Sequence, residues 1–231
     1  MLKNLKGKNI LVTSGGTQEY IDDVRVLTNV SSGKLGATIA DQLYQNGANV
    51  FYVCGKNSVL PLIEPGKCYV VRTANDALDA MKMIIFNQGN DIHAVVHSMA
   101  VSDFTFKRDK PVKCKSSDPE AFIEYMRQTI TPNPKIISQI KAWKKNLILI
   151  GFKFEVGATL TRLVTLARES IHKNGCDMVV INDKKEMEKT GKHLARFVTP
   201  TDTTSISKIK VYEGKTAIAK GIKKYLKSVL W

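Results

Sequence analysis

The sequence predicts an α/β domain: a doubly wound, mostly parallel β-sheet with helices on both faces and a small β-ribbon late in the chain. Three observations lead there. Short apolar runs alternate with helix-period stretches through the first two-thirds of the 231 residues, the pattern of strands joined by crossover helices. One run, NLILIGFKF, is apolar along nearly all its length, as a central strand covered on both faces must be. The last fifty residues then change character, with two short strand-like runs and a closing helix.

The elements follow in order. KNILVTS (8–14) reads as the first strand. GKLGATIADQLYQNGA (33–48) reads as a helix with Leu35, Ile39, Leu43 and Tyr44 on one face, stopped by Asn46-Gly47. NVFYVC (49–54) and CYVVR (68–72) are the second and third strands. TANDALDAMKMIIFNQ (73–88) is a helix with Ala77, Met81, Ile84 and Ile85 inward. DIHAVVHSMA (91–100) is a fourth strand entering a loop. DPEAFIEYMRQTI (118–130) and PKIISQIKAW (134–143) are helices divided by Pro132 and Pro134. NLILIGFKF (146–154) is the fifth strand, TLTRLVTLARESIHKNG (159–175) a helix with a glycine stop, and CDMVVIN (176–182) the sixth strand. Residues 183–192 read as a charged loop. LARFVTP and TSISKIKVYEG read as two short strands, and TAIAKGIKKYLKSVL as the closing helix. Residues 1–231 read as one domain, with a ribbon around 183–212 free to stand away from the sheet.

Composition narrows the function. The hydrophobic fraction of 43% and charged fraction of 24% are those of an ordinary soluble domain. The net charge of +14 is not ordinary. It favours anionic partners: nucleic acid, a membrane surface, or small phosphorylated ligands. Cys54, Cys68, Cys114 and Cys176 are scattered, with no CxxC pair and no metal spacing to the four histidines. Cys54 and Cys176 sit in apolar runs and read as buried thiols. No stretch is apolar enough for a signal peptide or a membrane span, so a reduced, cytoplasmic location is expected.

Ligands of a doubly wound sheet bind off the carboxyl ends of its strands, and four loops there carry chemistry. The first, SGGTQEYIDDVRVLTNVSS, is about three times longer than the usual connection of about 2–6 residues. Gly15 and Gly16 permit a tight turn, and Ser31, Gly33 and Gly36 open a helix whose amides can hold an anion. As plain caps, Ser31 or Ser32 would simply start that helix. The insertion between them also carries Asp22, Asp23, Arg25, Thr28 and Asn29, which turn geometry does not require. The pattern is neither GxGxxG nor GxxxxGK[ST]. The second loop, 97–117, offers Asp103 with Phe104, then Lys107, Arg108, Lys110, Lys113 and Lys115. It is either a solvated loop or a lid over a polyphosphate, with Asp103 toward Mg²⁺ or a ribose hydroxyl. The third, TPNPK, places Pro134 at a first helical position with Asn133 as its cap. The fourth, GFKFE, ends the fifth strand, with Phe152 either in the core or stacked on a base.

Together these segments resemble the phosphopantothenate–cysteine ligase (phosphopantothenoylcysteine synthetase) family. Its pattern is a TSGGT or TAGPT turn, an acidic-VR element, then N-x-SSG-x-x-G. Here stand Thr13-Ser14-Gly15-Gly16-Thr17, Asp23-Val24-Arg25, and Asn29 through Gly36. AVSDF, the lysines of Lys113-Cys114-Lys115, NPKII, GFKFE and VVIND recur in the expected order, over about residues 8 to 212. The resemblance implies a Rossmann-like fold and a ligase that activates a carboxylate with CTP or ATP and Mg²⁺. An acyl-nucleotide and pyrophosphate form, and the amine of cysteine then attacks. It implies that Gly15, Gly16, Ser31, Gly33 and Gly36 meet phosphate. Asn29 contacts the acyl intermediate, and Lys113, on a flap with Lys115, meets the reacting phosphate and carboxylate. Asp103 lies near the ribose or metal. Phe152, Asn182 and Lys173 match nucleotide-site positions, with Phe152 against the base and Ala100 lining the same pocket. Arg25 faces the pantothenate side or braces the Asn29 loop.

The resemblance further implies a homodimer, with the late ribbon against the partner, and no membrane or nucleic-acid partner. Many bacterial members carry a flavin-dependent decarboxylase ahead of this part. The first strand here begins within ten residues of the start, so the free-standing form is expected, without flavin. Phe152-Lys153-Phe154-Glu155 departs from the bacterial FAAET toward the FKLET of eukaryotic members, and Ser116 stands where some bacterial members have a lysine. Both CTP and ATP therefore stay open. The competing reading is a Rossmann-like nucleic-acid-binding or NAD(P)-dependent redox protein. Lys220, Lys223, Lys224 and Lys227 share one face of the last helix, and could follow phosphates. The opposite face carries Ile218, Ile222, Tyr225 and Val229, which a solvated amphipathic helix explains equally well. Strand two ends in Cys54-Gly55-Lys56 rather than the acid a dehydrogenase needs.

Overall fold

The apolar run after Lys8 forms β1 (Asn9–Ser14), and its side chains alternate between two cores: Ile10 and Val12 enter one, Leu11 the other. The structure, a computed structural model, describes residues 4–108, 113–115, 117–201 and 206–231. β2 (Gln18–Tyr20) and β3 (Val26–Thr28) form a short antiparallel hairpin. Then come α1 (Lys34–Tyr44), β4 (Asn49–Gly55), β5 (Cys68–Val71), α2 (Ala74–Phe86) and β6 (Ile92–His97). β7 (Phe104–Phe106) and β8 (Ile130–Pro132) pair with each other on either side of α3 (Pro119–Thr129). The rest is α4 (Ile140–Trp143), β9 (Ile148–Glu155), α5 (Leu160–Asn174), β10 (Met178–Asp183), α6 (Lys184–Thr190), β11 (Leu194–Val198), β12 (Val211–Glu213) and α7 (Lys215–Val229).

The main sheet runs β12-β11-β10-β9-β6-β1-β4-β5. The six strands from β10 to β5 are parallel, and β11 and β12 add antiparallel at one edge. In chain order the parallel strands lie 3-2-1-4-5-6. Winding therefore reverses between β1 and β6, where the departing loops part and leave a crevice. α1 and α7 cover one face, packing Ile39, Leu43, Ile218 and Ile222 on Val12, Val96 and Val180. α2, α4 and α5 cover the other, packing Met81, Ile84, Ile140 and Leu163 on Leu11, Val95 and Leu149. Each fully buried aliphatic side chain stabilises by about 1.5–3 kcal/mol. Burial on both faces is why these strands read as continuous apolar runs.

Several expectations need correction. Residues 134–143 are not one helix: a single 3₁₀ turn at Ile136–Ser138 precedes the four-residue α4. Asn133 caps nothing. Its Nδ2 donates to the Ser102 carbonyl at 3.0 Å, so a tertiary partner displaces the local cap. The charged loop at 183–192 contains α6, capped by the Asp183 carboxylate, which accepts from Glu186 N at 3.0 Å. The late ribbon does not stand away: β11 pairs with β10, and β12 with β11. α7 packs beneath them, its Gly221 close to the stacked rings of Phe197 and Tyr212. Tyr44 and Val229, assigned to apolar helix faces, are exposed, while Leu226 is buried.

Candidate functional site

The site begins where β1 ends. Gly15 turns with φ +74°, and a Cβ there would fall 1.7 Å from Ser58 Oγ. Gly36 is crowded in the same way: its Cβ would fall 2.1 Å from Ser14 Oγ. Gly36 lets the end of β1 press against the first turn of α1, and Gly15 lets the turn after it press against the Ser58 loop. Neither Ser31 nor Asn29 caps that helix, and Ser32 Oγ only reaches Lys34 N at a long 3.5 Å. Gly33 takes the cap position with no side-chain hydrogen bond, and its carbonyl accepts from Ser14 Oγ at 2.9 Å. No side-chain acceptor from the cap residue blocks the amides of the first turn. A helix start free in this way favours an anion. The hydroxyl of Ser58 is buried beside Gly15 and Gly33 without a hydrogen-bond partner among the described residues.

The loop after β6 clasps this turn. Ala100 N donates to Gly15 O at 2.7 Å, Thr17 N to Ala100 O at 3.3 Å, and Ser102 N to Thr17 Oγ1 at 2.9 Å. Beneath the clasp Thr13 Oγ1 and His97 Nδ1 lie 2.8 Å apart. Burial pushes His97 down to about 4, so the ring is neutral near neutral pH. Asn29, exposed, reaches the same loop: its Nδ2 donates to Val101 O at 3.2 Å and Ala100 O at 3.4 Å.

The long opening stretch is occupied by the β2–β3 hairpin, with Asp22 at its turn. Asp22 is fully buried and accepts from Val24 N at 2.9 Å, Arg25 N at 2.7 Å and Cys114 N at 3.2 Å. The Arg25 guanidinium pairs with it and also donates to Cys114 O at 3.2 Å. Burial would raise this carboxyl, but the three backbone donors and Arg25 outweigh burial and hold it at about 2. One buried carboxylate thus ties the hairpin to residues 113–115. Lys113 and Lys115 are exposed on either side of half-buried Cys114. Arg108 adds an ion pair to Asp23 at 2.7 Å. Lys110 and Ser116 lie outside the described residues.

A cleft of about 290 Å³ opens at the ends of β6 and β9, lined among others by Ala100, Asp103, Asn133, Lys135, Phe152 and Phe154. Phe152 is half-buried and packs on the core below. The Asp103 carboxylate is paired with Lys135 at the rim. Among the described residues no three His, Cys, Asp or Glu side chains gather as a metal site. Asn182 is buried one strand away, beside Phe154 in register, with Nδ2 3.8 Å from Met187 Sδ. Lys173 is not brought to the cleft. It is exposed in the last turn of α5, which runs back to the start of β10 and so to the opposite end of the sheet.

The structure therefore brings Gly15, Gly16, Ser31, Gly33, Gly36, Asn29 and Ala100 to the switch point, and Asp103 and Phe152 to the adjoining cleft. Ser58 escaped sequence reading because it follows Gly55-Lys56-Asn57, outside the four loaded loops. Thr17 and Ser102 escaped it too, since only the fold brings their loops together. Asp22 was visible as an acid in the insertion, but its tie to Cys114 spans 92 positions. Among the described residues no helix is long and apolar enough to cross a membrane.

Comparison with known proteins adds relatives in sequence and in fold. A coenzyme A biosynthesis bifunctional protein CoaBC from Thermococcus kodakarensis is 38% identical over 183 residues, covering 79% of this chain and 43% of the relative. The chain thus spans about two-fifths of the length of the curated relatives it matches. The DNA/pantothenate metabolism flavoprotein structure from Streptococcus pneumoniae superposes with a TM-score of 0.79 at 30% identity, covering 96% of this chain and 100% of that one. Cab2 in complex with phosphopantothenate-cysteine shares the fold, with a TM-score of 0.68 at 18% identity over 96% of this chain and 88% of that one. The family model for the DNA/pantothenate metabolism flavoprotein C-terminal domain matches residues 5–229, nearly the whole sequence, and the chain belongs to that family.

Proposed function

We propose that this chain joins 4′-phosphopantothenate to cysteine, at the expense of a nucleoside triphosphate. The observation that carries the reading is the anion cradle at the switch point: the Gly15-Gly16 turn beside a helix start whose cap residue, Gly33, carries no side chain, with Ser58 between them. The reaction needs such a cradle. A carboxylate resists nucleophiles because of its charge, and both it and the nucleotide arrive as anions. The carboxylate oxygen attacks the α-phosphorus, pyrophosphate leaves, and an acyl-nucleotide remains. The cysteine amine then attacks the acyl carbon, loses a proton, and the nucleoside monophosphate departs.

In this reading the first-turn amides of α1, with Ser31 and the Ser58 hydroxyl, receive phosphate. Lys113 neutralises the reacting carboxylate and phosphate, with Lys115 as its neighbour on the flap. Arg25 acts through Asp22 and Cys114 to seat that flap. Phe152 backs the base, and Asn182 supports the strand beside it. Mg²⁺, bound with the triphosphate, would supply positive charge to the phosphate oxygens. Asp103 is the carboxylate at the rim for it, and would have to leave Lys135 to do so; a single carboxylate plus phosphate oxygens is an ordinary Mg²⁺ environment. Two copies associate, through the short strand β12 that lies outermost among the described strands of the sheet.

The test is pyrophosphate release from phosphopantothenate, cysteine and Mg²⁺ with CTP or ATP. Release should require phosphopantothenate, and the amide product should appear by mass. Unchanged substrates after long incubation of folded protein with either nucleotide would overturn the proposal. Sedimentation at the 25.7 kDa mass of one chain would remove the dimer.

A further inference from the structure

Asn133 is 7% exposed and lines the cleft beside Phe152. Its backbone N–H donates to Asp103 O at 2.9 Å, and its Nδ2 to Ser102 O at 3.0 Å. Its Oδ1 is buried with no partner among the described residues. The orientation of the amide is fixed by chemistry: flipping it would set the oxygen against the Ser102 carbonyl and lose that bond. A buried acceptor left unpaired costs about 1–3 kcal/mol, so a ligand that donates here gains what the free protein lacks.

The surroundings say what kind of donor fits. Met99, Ile136, Ile137 and Phe152 give the cleft apolar walls. An ammonium would bring a full charge and three N–H groups to one acceptor. A flat neutral amine satisfies the acceptor with one N–H and lies along the aromatic ring. The amide is also rigidly indexed to the anion cradle, since Ser102, which holds it, is bonded through its own N–H to Thr17 Oγ1 at 2.9 Å. Phosphate position and base position are therefore set by one connected set of bonds.

We infer that Asn133 is a specificity-determining residue whose Oδ1 accepts a hydrogen bond from the exocyclic amine of the nucleobase, selecting amino-bearing bases over their oxo counterparts. This rests on the nucleotide-dependent ligase reading above. An oxo base would face this oxygen with another oxygen, leaving both unpaired.

Two nucleotide pairs isolate the feature: CTP against UTP, and ATP against ITP. In the native protein kcat/KM should be about 10–100-fold higher for the amino member of each pair, from the worth of one such bond. Calorimetric binding of the same four nucleotides, without the other substrates, should show the same order. Asn133→Ala should lower the amino members and bring the ratio in each pair near one. A merely structural asparagine would lower all four alike and keep the ratio, which would overturn the inference. Should Asn133→Ala fail to fold, Asn133→Ser carries the same comparison. Equal use of both members by the native protein would overturn the inference and leave the ligase standing. Binding and turnover of none of the four would remove both.

Discussion

Asn29 shows how a residue can be placed for chemistry without being locked. Both of its Nδ2 contacts, at 3.2 and 3.4 Å, are longer than the usual 2.9–3.0 Å for this type of bond. Exposed bonds of that length orient the amide yet exchange easily for a ligand oxygen. Asn29 is not the cap of α1, since Gly33 holds that position. Asn29→Asp therefore tests the site rather than the helix. An ionised carboxylate cannot donate to Ala100 O or Val101 O, nor to a developing oxyanion. Melting should move little, because both contacts are exposed, while amide formation should slow. Acyl-nucleotide should then accumulate and be seen by mass after a rapid quench. Normal turnover of Asn29→Asp, or a melting temperature lowered together with both half-reactions, would take Asn29 out of the reaction.

At the scale of elements, the β2–β3 hairpin is the piece that the sequence did not reveal. Its strands have three residues each, and Val26, Leu27 and Thr28 are all exposed, so no alternation marks them. Its shape comes from partners elsewhere: Thr28 Oγ1 donates to Thr17 O at 2.8 Å, and Asp22 binds Cys114. α6 was hidden for a similar reason. KKEMEKT has one apolar residue, and its place is set by the Asp183 cap and by the paired contacts of Glu186 with Arg196 at 2.6 and 2.8 Å. The parallel strands and the glycine turn were legible because burial on two faces and close backbone approach each leave a local mark. Asp22→Ala should cut loose the hairpin turn and the 113–115 segment together. Removing a buried carboxylate that serves four donors should cost about 2–4 kcal/mol. Since Lys113 rides on that segment, acyl-nucleotide formation should fall with it. Lys113→Ala should lower that step by about 10²–10³ at unchanged stability. Stopped-flow pyrophosphate release beside urea unfolding separates the two effects. Unchanged release in Asp22→Ala would show that the hairpin does not seat the flap, and loss in Lys115→Ala but not Lys113→Ala would move the role by two residues.

The whole molecule carries a pH dependence that follows from what the fold buries. Burial lowers His97 to about 4 from an ordinary 6.5, and it lowers His93 and His193 as well. Well above pH 6.5 the folded and unfolded chains both hold these rings neutral, so their contribution to stability is complete. As pH falls below 6.5 the unfolded chain takes up protons that the folded chain refuses, and stability is lost until the native values are reached. Asp22 continues the loss lower down: ionised in the fold to about 2, it is protonated in the unfolded chain below 3.8. The net charge of +14 adds repulsion as carboxylates neutralise. His97 should account for about 1.5 kcal/mol of the loss between pH 6.5 and pH 5, since at pH 6.5 the unfolded ring is already half protonated and each further unit adds at most 1.36 kcal/mol. Urea unfolding at a series of pH values measures it. In His97→Asn a short amide oxygen can still accept from Thr13, but nothing titrates, so the slope between pH 6.5 and pH 5 should flatten by about that amount. The slope will not vanish, because His93 and His193 remain. A native protein equally stable at pH 7.5 and pH 5, or a His97→Asn protein with the native slope, would mean that the ring beneath the clasp takes up its proton without opening the fold.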